Sequence, residues 1–191
     1  MKIKLLSFLF LTFVYIAPYW GQVSKLDSHG NIKLLKNGAL LVRLKTSDLI
    51  INGYLKQGKT KQAEEARLKQ EQDNKEIMAA FKHAYNFSSV YFFYSSHSDE
   101  IKNGKCKDLI FDVNSQPVAH LNCDNVLIGE LDESSTTHIE AFIIKDKNFN
   151  QLNEPFPFLI KKNSLGVKSR TFEEIVEELN FKLNNFMAKN Q

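Results

Sequence analysis

Residues 90–94 read Val-Tyr-Phe-Phe-Tyr (VYFFY). Successive side chains of a strand face opposite sides of its sheet, and here both sets are apolar. That pattern predicts a central strand covered by helices on two sides. Upstream, residues 39–44 (ALLVRL) form a second apolar run of strand length. Between the two runs the chain reads helical. Ser47 and Asp48 start one helix, with Leu49, Ile50 and Tyr54, and alongside them Ile51 and Leu55, as its buried side. Gly58 stops it, and Thr60 caps a second helix running to about Asn86. The middle of that helix, RLKQEQDNKE, is almost wholly polar, whereas Ile77, Phe81 and Ala84 recur at helical spacing near its end. It is expected to dock by its C-terminal half and to project, or fold back as a hairpin, at the other. A strand–helix–strand unit pairs its strands in parallel.

Downstream, Ser98–Asn103 reads as a short helix ended by Gly104. Leu109–Phe111, Val126–Leu131 and Ile139–Ile144 read as short strands, followed by a turn at Asp146–Asn150. Pro155 and Pro157 in NEPFPFLIKK put the next strand at a sheet edge, or start it after the second proline. Thr171–Glu174 (TFEE) is a capping box. Phe172, Ile175, Val176, Leu179, Leu183, Phe186 and Met187 then form one apolar stripe. The fold class is α/β, with a mixed, mainly parallel central sheet and helices packed on it.

The N-terminus points to export. Met1–Lys4 is basic, and Leu5–Trp20 is apolar but for Ser7, Thr12 and Pro18. Sixteen residues of helix span roughly 24 Å, short of a ~30 Å hydrocarbon core. This is the layout of a secretory signal peptide over residues 1–21, cleaved before Gln22; the alternative is an uncleaved anchor. Residues 22–36 are expected as a lead-in segment, with Ile32–Leu35 able to pair with Ala39–Leu44 as a hairpin across Lys36-Asn37-Gly38. Residues 37–191 then make one α/β domain. Cleavage leaves no stable membrane span.

Composition narrows the partners. The formal charge of +3 includes Lys2 and Lys4, so the mature chain is close to neutral, and only Arg43, Arg67 and Arg170 are arginine. No basic field is left to argue for nucleic acid. Residues 53–60 (GYLKQGKT) match the phosphate-binding pattern G-x-x-x-x-G-K-[ST], with Asp112 in DLIFD as a conceivable metal-positioning partner. The loop interior, Tyr54-Leu55-Lys56-Gln57, favours helix, and the stretch before it also reads helical rather than as a buried strand. A helix–Gly–helix corner is expected there, and no nucleotide.

His29, His83, His97, His120 and His138 are scattered, without metal-ligand spacing, and Glu130, Asp132 and Glu133 read as a solvated turn. No metal or cofactor is implied. Ser95, Ser96, His97 and Asp99 are the ligand-binding candidates, because they follow the VYFFY strand and strand ends of α/β sheets are where ligands bind. Adjacent residues cannot by themselves form a catalytic triad, and the same stretch also reads as a capped turn into a short helix. Cys106 and Cys123 are a disulfide candidate in an oxidising compartment, with two buried free thiols as the alternative.

NGALLVRLKT at 37–46, VYFFYS at 90–95 and KNFNQL…PFPFLI at 148–160 resemble a family of small exported proteins of Bacteroidota, from which no catalytic residues carry over. The likeness implies a periplasmic or secreted location. A looser likeness, in VYFFYS, the polar turn after it, AFIIKDKNFNQL and the final helix, is to thioredoxin-like proteins. Where that family places C-x-x-C this chain has Ser95-Ser96-His97-Ser98, so the redox chemistry does not transfer. Three functions follow as expectations. The first is a non-catalytic exported domain that binds a protein partner in the envelope. The others are a small periplasmic enzyme using Ser95–Asp99 with a cysteine, and a small-ligand-binding domain.

Overall fold

The computed structural model describes residues 27–134, 138–164 and 168–190. The expected signal peptide and its cleavage point lie outside the described residues. Strand β1, Ala39–Leu44, is buried at every position but Arg43, as its apolar run demands. It pairs in parallel with β2 (Ser89–Tyr94) on one side and β3 (Val126–Glu133) on the other. Antiparallel pairing then adds β4 (Glu140–Lys145) and β5 (Leu159–Lys161), giving the order β2-β1-β3-β4-β5. The fold is thus α/β with a mixed sheet. It is not mainly parallel: two of its four pairings are parallel and two antiparallel. Long helical or looping crossovers bring β1, β2 and β3 into parallel, whereas the short connection from β3 to β4 permits only a reversal.

VYFFY is not the central strand; β2 is the edge. Its two-sided apolarity has another cause. Phe92 packs into the core on one face of the sheet and Phe93 into the core on the other. The outer backbone of β2 is met by Phe111, which exchanges both backbone hydrogen bonds with Phe92, at 2.8 and 3.0 Å. Leu109–Phe111 therefore contributes isolated antiparallel bridges and not the expected strand, and the bridge to Phe92 shields an edge that would otherwise be open to pairing.

The larger core lies under three helices. Ile32 and Leu35 of α1 (Ser28–Asn37), Phe81 of α3 (Thr60–Ala84), and Ile175, Leu179 and Leu183 of α5 (Phe172–Lys189) cover Leu40, Val42, Leu127 and Phe142. Each such side chain contributes about 1.5–3 kcal/mol when fully buried, so this layer dominates stability. The second face, with Leu41, Phe93 and Ile128, is covered by Ile101 of the short α4 (Ser98–Lys102) and by the segment through Cys106 and Ile110.

α1 replaces the expected hairpin and loose lead-in. Asp27 caps it by accepting from the Gly30 amide at 2.6 Å, and Ile32 and Leu35, three apart, share its buried side. Asn37-Gly38 ends this helix instead of turning a hairpin. Gly38 passes so close to β3's approach that an added Cβ would lie 2.0 Å from the Asn125 carbonyl oxygen.

α2 (Asp48–Lys56) and α3 form a helical hairpin. Gly58, at φ +70°, makes the turn, and Lys59, not Thr60, occupies the cap position of α3. The capping box of α5 is complete: Thr171 N donates to Glu174 Oε2 at 2.8 Å, and Glu174 N donates to Thr171 Oγ1 at 3.2 Å. β5 begins after Pro157 and is the second sheet edge, as the prolines require. β6 (Asn163–Ser164) and β7 (Lys168–Ser169) form a small separate ladder. No described helix is long and apolar enough to cross a membrane.

Candidate functional site

The C-terminal ends of β1 and β3 carry a charge cluster set into the smaller core. Arg43 and Glu130 are register partners on adjacent strands. Arg43 Nη1 donates to Glu130 Oε2 at 2.6 Å, and Lys145 Nζ of β4 pairs with Glu130 Oε1. Lys145 also reaches Asp132 at 3.4 Å. Only 4% of the Glu130 side chain is exposed. A carboxylate this buried is tolerated because two cations and their hydrogen bonds replace its water. The cluster clamps three strands and engages both oxygens of Glu130. The structure thus places Glu130 in a strand and not in the expected solvated turn; the signal that marks it is a charge inside the apolar run VLIGEL, opposite another inside ALLVRL.

The expected site residues divide around this clamp. Arg43 Nε donates to Ser98 Oγ at 2.8 Å, and Ser98 Oγ donates to the Ser95 carbonyl at 2.6 Å. Ser95 Oγ accepts from the Thr46 amide at 3.1 Å and lies 3.1 Å from the Thr46 hydroxyl. These serines therefore tie the turn after β2 to the end of β1. Ser96 is exposed. His97 turns away into a cleft of about 240 Å³ beside the segment 108–117. Asp99 is exposed in the first turn of α4, where its carbonyl accepts from Asn103. Ser95, His97 and Asp99 are not brought to one point.

Cys106 and Cys123 stand at disulfide distance, with Cα atoms 6.3 Å apart. The segment between them does not carry them to opposite ends of the sheet, because it loops out and returns through the Phe111–Pro117 bridge. Asp112 organises the loop, accepting from the amides of Asn114 and Gln116 at 2.8 Å each. The Gln116 amide foremost, with Asn114, holds its carboxyl below the usual carboxylate range. On the opposite face, burial raises the Tyr85 phenol well above its ordinary value, against a smaller opposing effect of its hydrogen bond with Ser88. Among the described residues no group of three or more His, Cys, Asp or Glu is placed to hold a metal ion.

GYLKQGKT spans the end of α2, the Gly58 turn and the start of α3. A helix, not a buried strand, precedes the turn, so its amides are spent on the helix end: Lys59 N donates to Tyr54 O at 2.9 Å. No family model matches the chain, and neither a curated protein nor a solved structure matches it.

The hairpin itself presents an unexpected surface. No residue of α2 is buried, contrary to the expected apolar side. Leu49 is 91% exposed, Ile50 57% and Leu55 49%, and Leu68 of α3 is exposed as well. The hairpin is anchored at its base, where Ser47 Oγ bonds Gln70, Gln70 bonds Asn74 at 3.2 Å, and Asn74 Nδ2 donates to the Lys45 carbonyl at 2.9 Å. The N-terminal half of α3 thus extends past the end of β1 with α2 as its companion, while its C-terminal half enters the core through Ala80 and Phe81.

Proposed function

We propose that this chain is an exported, non-catalytic accessory domain of the cell envelope that binds a protein partner through the α2–α3 hairpin. One observation carries the reading: a helix without a buried residue exposes Leu49, Ile50 and Leu55 on an arm tied at its base to the end of β1. Scattered exposed apolar residues are ordinary, but three large ones on a nine-residue helix give a partner anchors that cost little to desolvate. Export is supported by the signal-peptide layout of residues 1–21 and by the cysteine pair at disulfide distance. The enzymatic alternative lacks support, because Ser95 and Ser98 are engaged in bracing the strand ends.

The test is a Leu49→Asp, Ile50→Asp double variant expressed in the native cell. The expected result is an unchanged melting temperature together with loss of a protein that co-purifies stoichiometrically with the parent. Retention of that protein by the variant would remove the hairpin from the interface.

A further inference from the structure

We propose that the cleft at the C-terminal end of β2 is a binding site for a neutral polyhydroxylated ligand of the size of a sugar ring. Its volume is about 240 Å³, and Tyr94, His97, Asp108, Phe111, Ser115 and Pro117 line it. The site is independent of the hairpin and of the partner-binding reading.

Its wall is fixed before any ligand arrives. Phe111 is bridged to both Phe92 and Pro117. The Val118 amide donates to the Ile110 carbonyl at 2.9 Å, Asp112 holds the turn, and Cys106 and Cys123 close the base of the segment. Preformed walls of this kind are typical of small-ligand sites. Within the wall the aromatic rings form a graded platform. Of the lining rings, Phe111 and Tyr94 lie 5.2 Å apart at 39°, and Tyr94, the outermost, is 43% exposed; the fully buried Phe92 stacks behind Phe111 at 6.1 Å and fixes it.

The rim is polar and unengaged. The Tyr94 hydroxyl, the His97 ring, the Asp108 carboxylate and the Ser115 hydroxyl all belong to lining residues, and none hydrogen-bonds to another described residue. Together they offer both donors and acceptors over an apolar floor. Among the described residues no lysine or arginine lines the cleft, so a phosphate or carboxylate ligand would meet Asp108 without a compensating lysine or arginine. A sugar ring satisfies both halves of the site: its C–H face lies on the aromatic platform and its hydroxyls meet the rim.

The experiment is a ¹⁵N amide titration of the mature protein with maltose, cellobiose and N,N′-diacetylchitobiose, and separately with inorganic phosphate and choline. At least one saccharide is expected to give saturable shifts confined to residues 94–97 and 108–117. Tyr94→Ala should weaken that binding at least tenfold. Ser115→Ala, which removes one hydroxyl from an exposed position, should weaken it severalfold with the rest of the spectrum unmoved. The proposal is overturned if no saccharide shifts these amides, if phosphate or choline shifts them more strongly, or if both variants bind like the parent.

Discussion

Glu130 neutralises two cations from two neighbouring strands while almost wholly buried. Removing it leaves Arg43 without its carboxylate partner and Lys145 with only the more distant Asp132, at 3.4 Å. Glu130→Ala is therefore expected to lower unfolding stability by about 3 kcal/mol, the lower end for a broken buried pair, since Arg43 keeps some contact with water. Urea unfolding measures this, and a loss under about 1 kcal/mol would place the cluster among inconsequential surface pairs. Asp112 behaves differently because its partners are amides. Its folded pKa lies below the unfolded value, so its contribution is complete above about pH 4 and is lost as pH falls through the folded value. Measured against the free-amide rate at each pH, the protection of Asn114 and Gln116 should fall as Asp112 becomes protonated while that of Val118, bonded to Ile110, is kept; an equal loss at all three would contradict the role given to Asp112. The sequence marks Glu130 only as a charge inside an apolar run, and it does not mark the role of Asp112. A buried carboxylate is defined by its register partner across the sheet, and local polarity cannot reveal that partner.

At the scale of elements, sequence pattern located helices and strands well where burial follows from spacing alone. The capping box and stripe of α5 correspond to a helix from Phe172 to Lys189. The two prolines set both the start and the edge position of β5. Beside Leu109–Phe111, which forms bridges in place of a strand, two stretches depart from their sequence pattern, each for a physical reason. Ile32–Leu35 is too short a run to distinguish strand from helix, and the decision lies with the Asp27 cap and with the tight passage of Gly38. Gly38→Ala should accordingly cost about 1–3 kcal/mol, because its methyl meets backbone that cannot move aside, whereas Gly53→Ala, with open space around it, should be neutral or slightly stabilising. Chemical denaturation of the two variants separates these outcomes. Of the side α2 is expected to bury, Leu49, Ile50 and Leu55 are exposed, and Ile51 and Tyr54 are half-buried. Spacing reports that a helix is amphipathic but not which molecule covers it, so the same residues that mislead a reading of the isolated fold support a docking surface.

For the whole molecule, the α/β class with its mixed sheet was readable from alternating apolar runs and helical stretches, but the strand order was not. Covered faces were inferred correctly for VYFFY and assigned to a central position, because two-sided apolarity reports burial on both faces and says nothing of the flanking backbone. The cysteine pair joins positions 17 apart in sequence across the segment that shields the β2 edge. Loop closure of this length contributes about 3 kcal/mol, so reduction is expected to lower the melting temperature by roughly 6–12 °C. Two alkylatable thiols in the non-reduced, denatured protein would show that the bond does not form. The central claim, that the hairpin is where this domain meets a protein partner, is tested most directly by photo-crosslinking in the native cell. A photoreactive residue placed at Leu49 should give one discrete higher-mass adduct, the same residue placed at exposed Lys161 on the opposite sheet edge should give none, and Ile50→Asp should abolish the first. Adducts of equal yield from both positions, or from neither, would contradict the account.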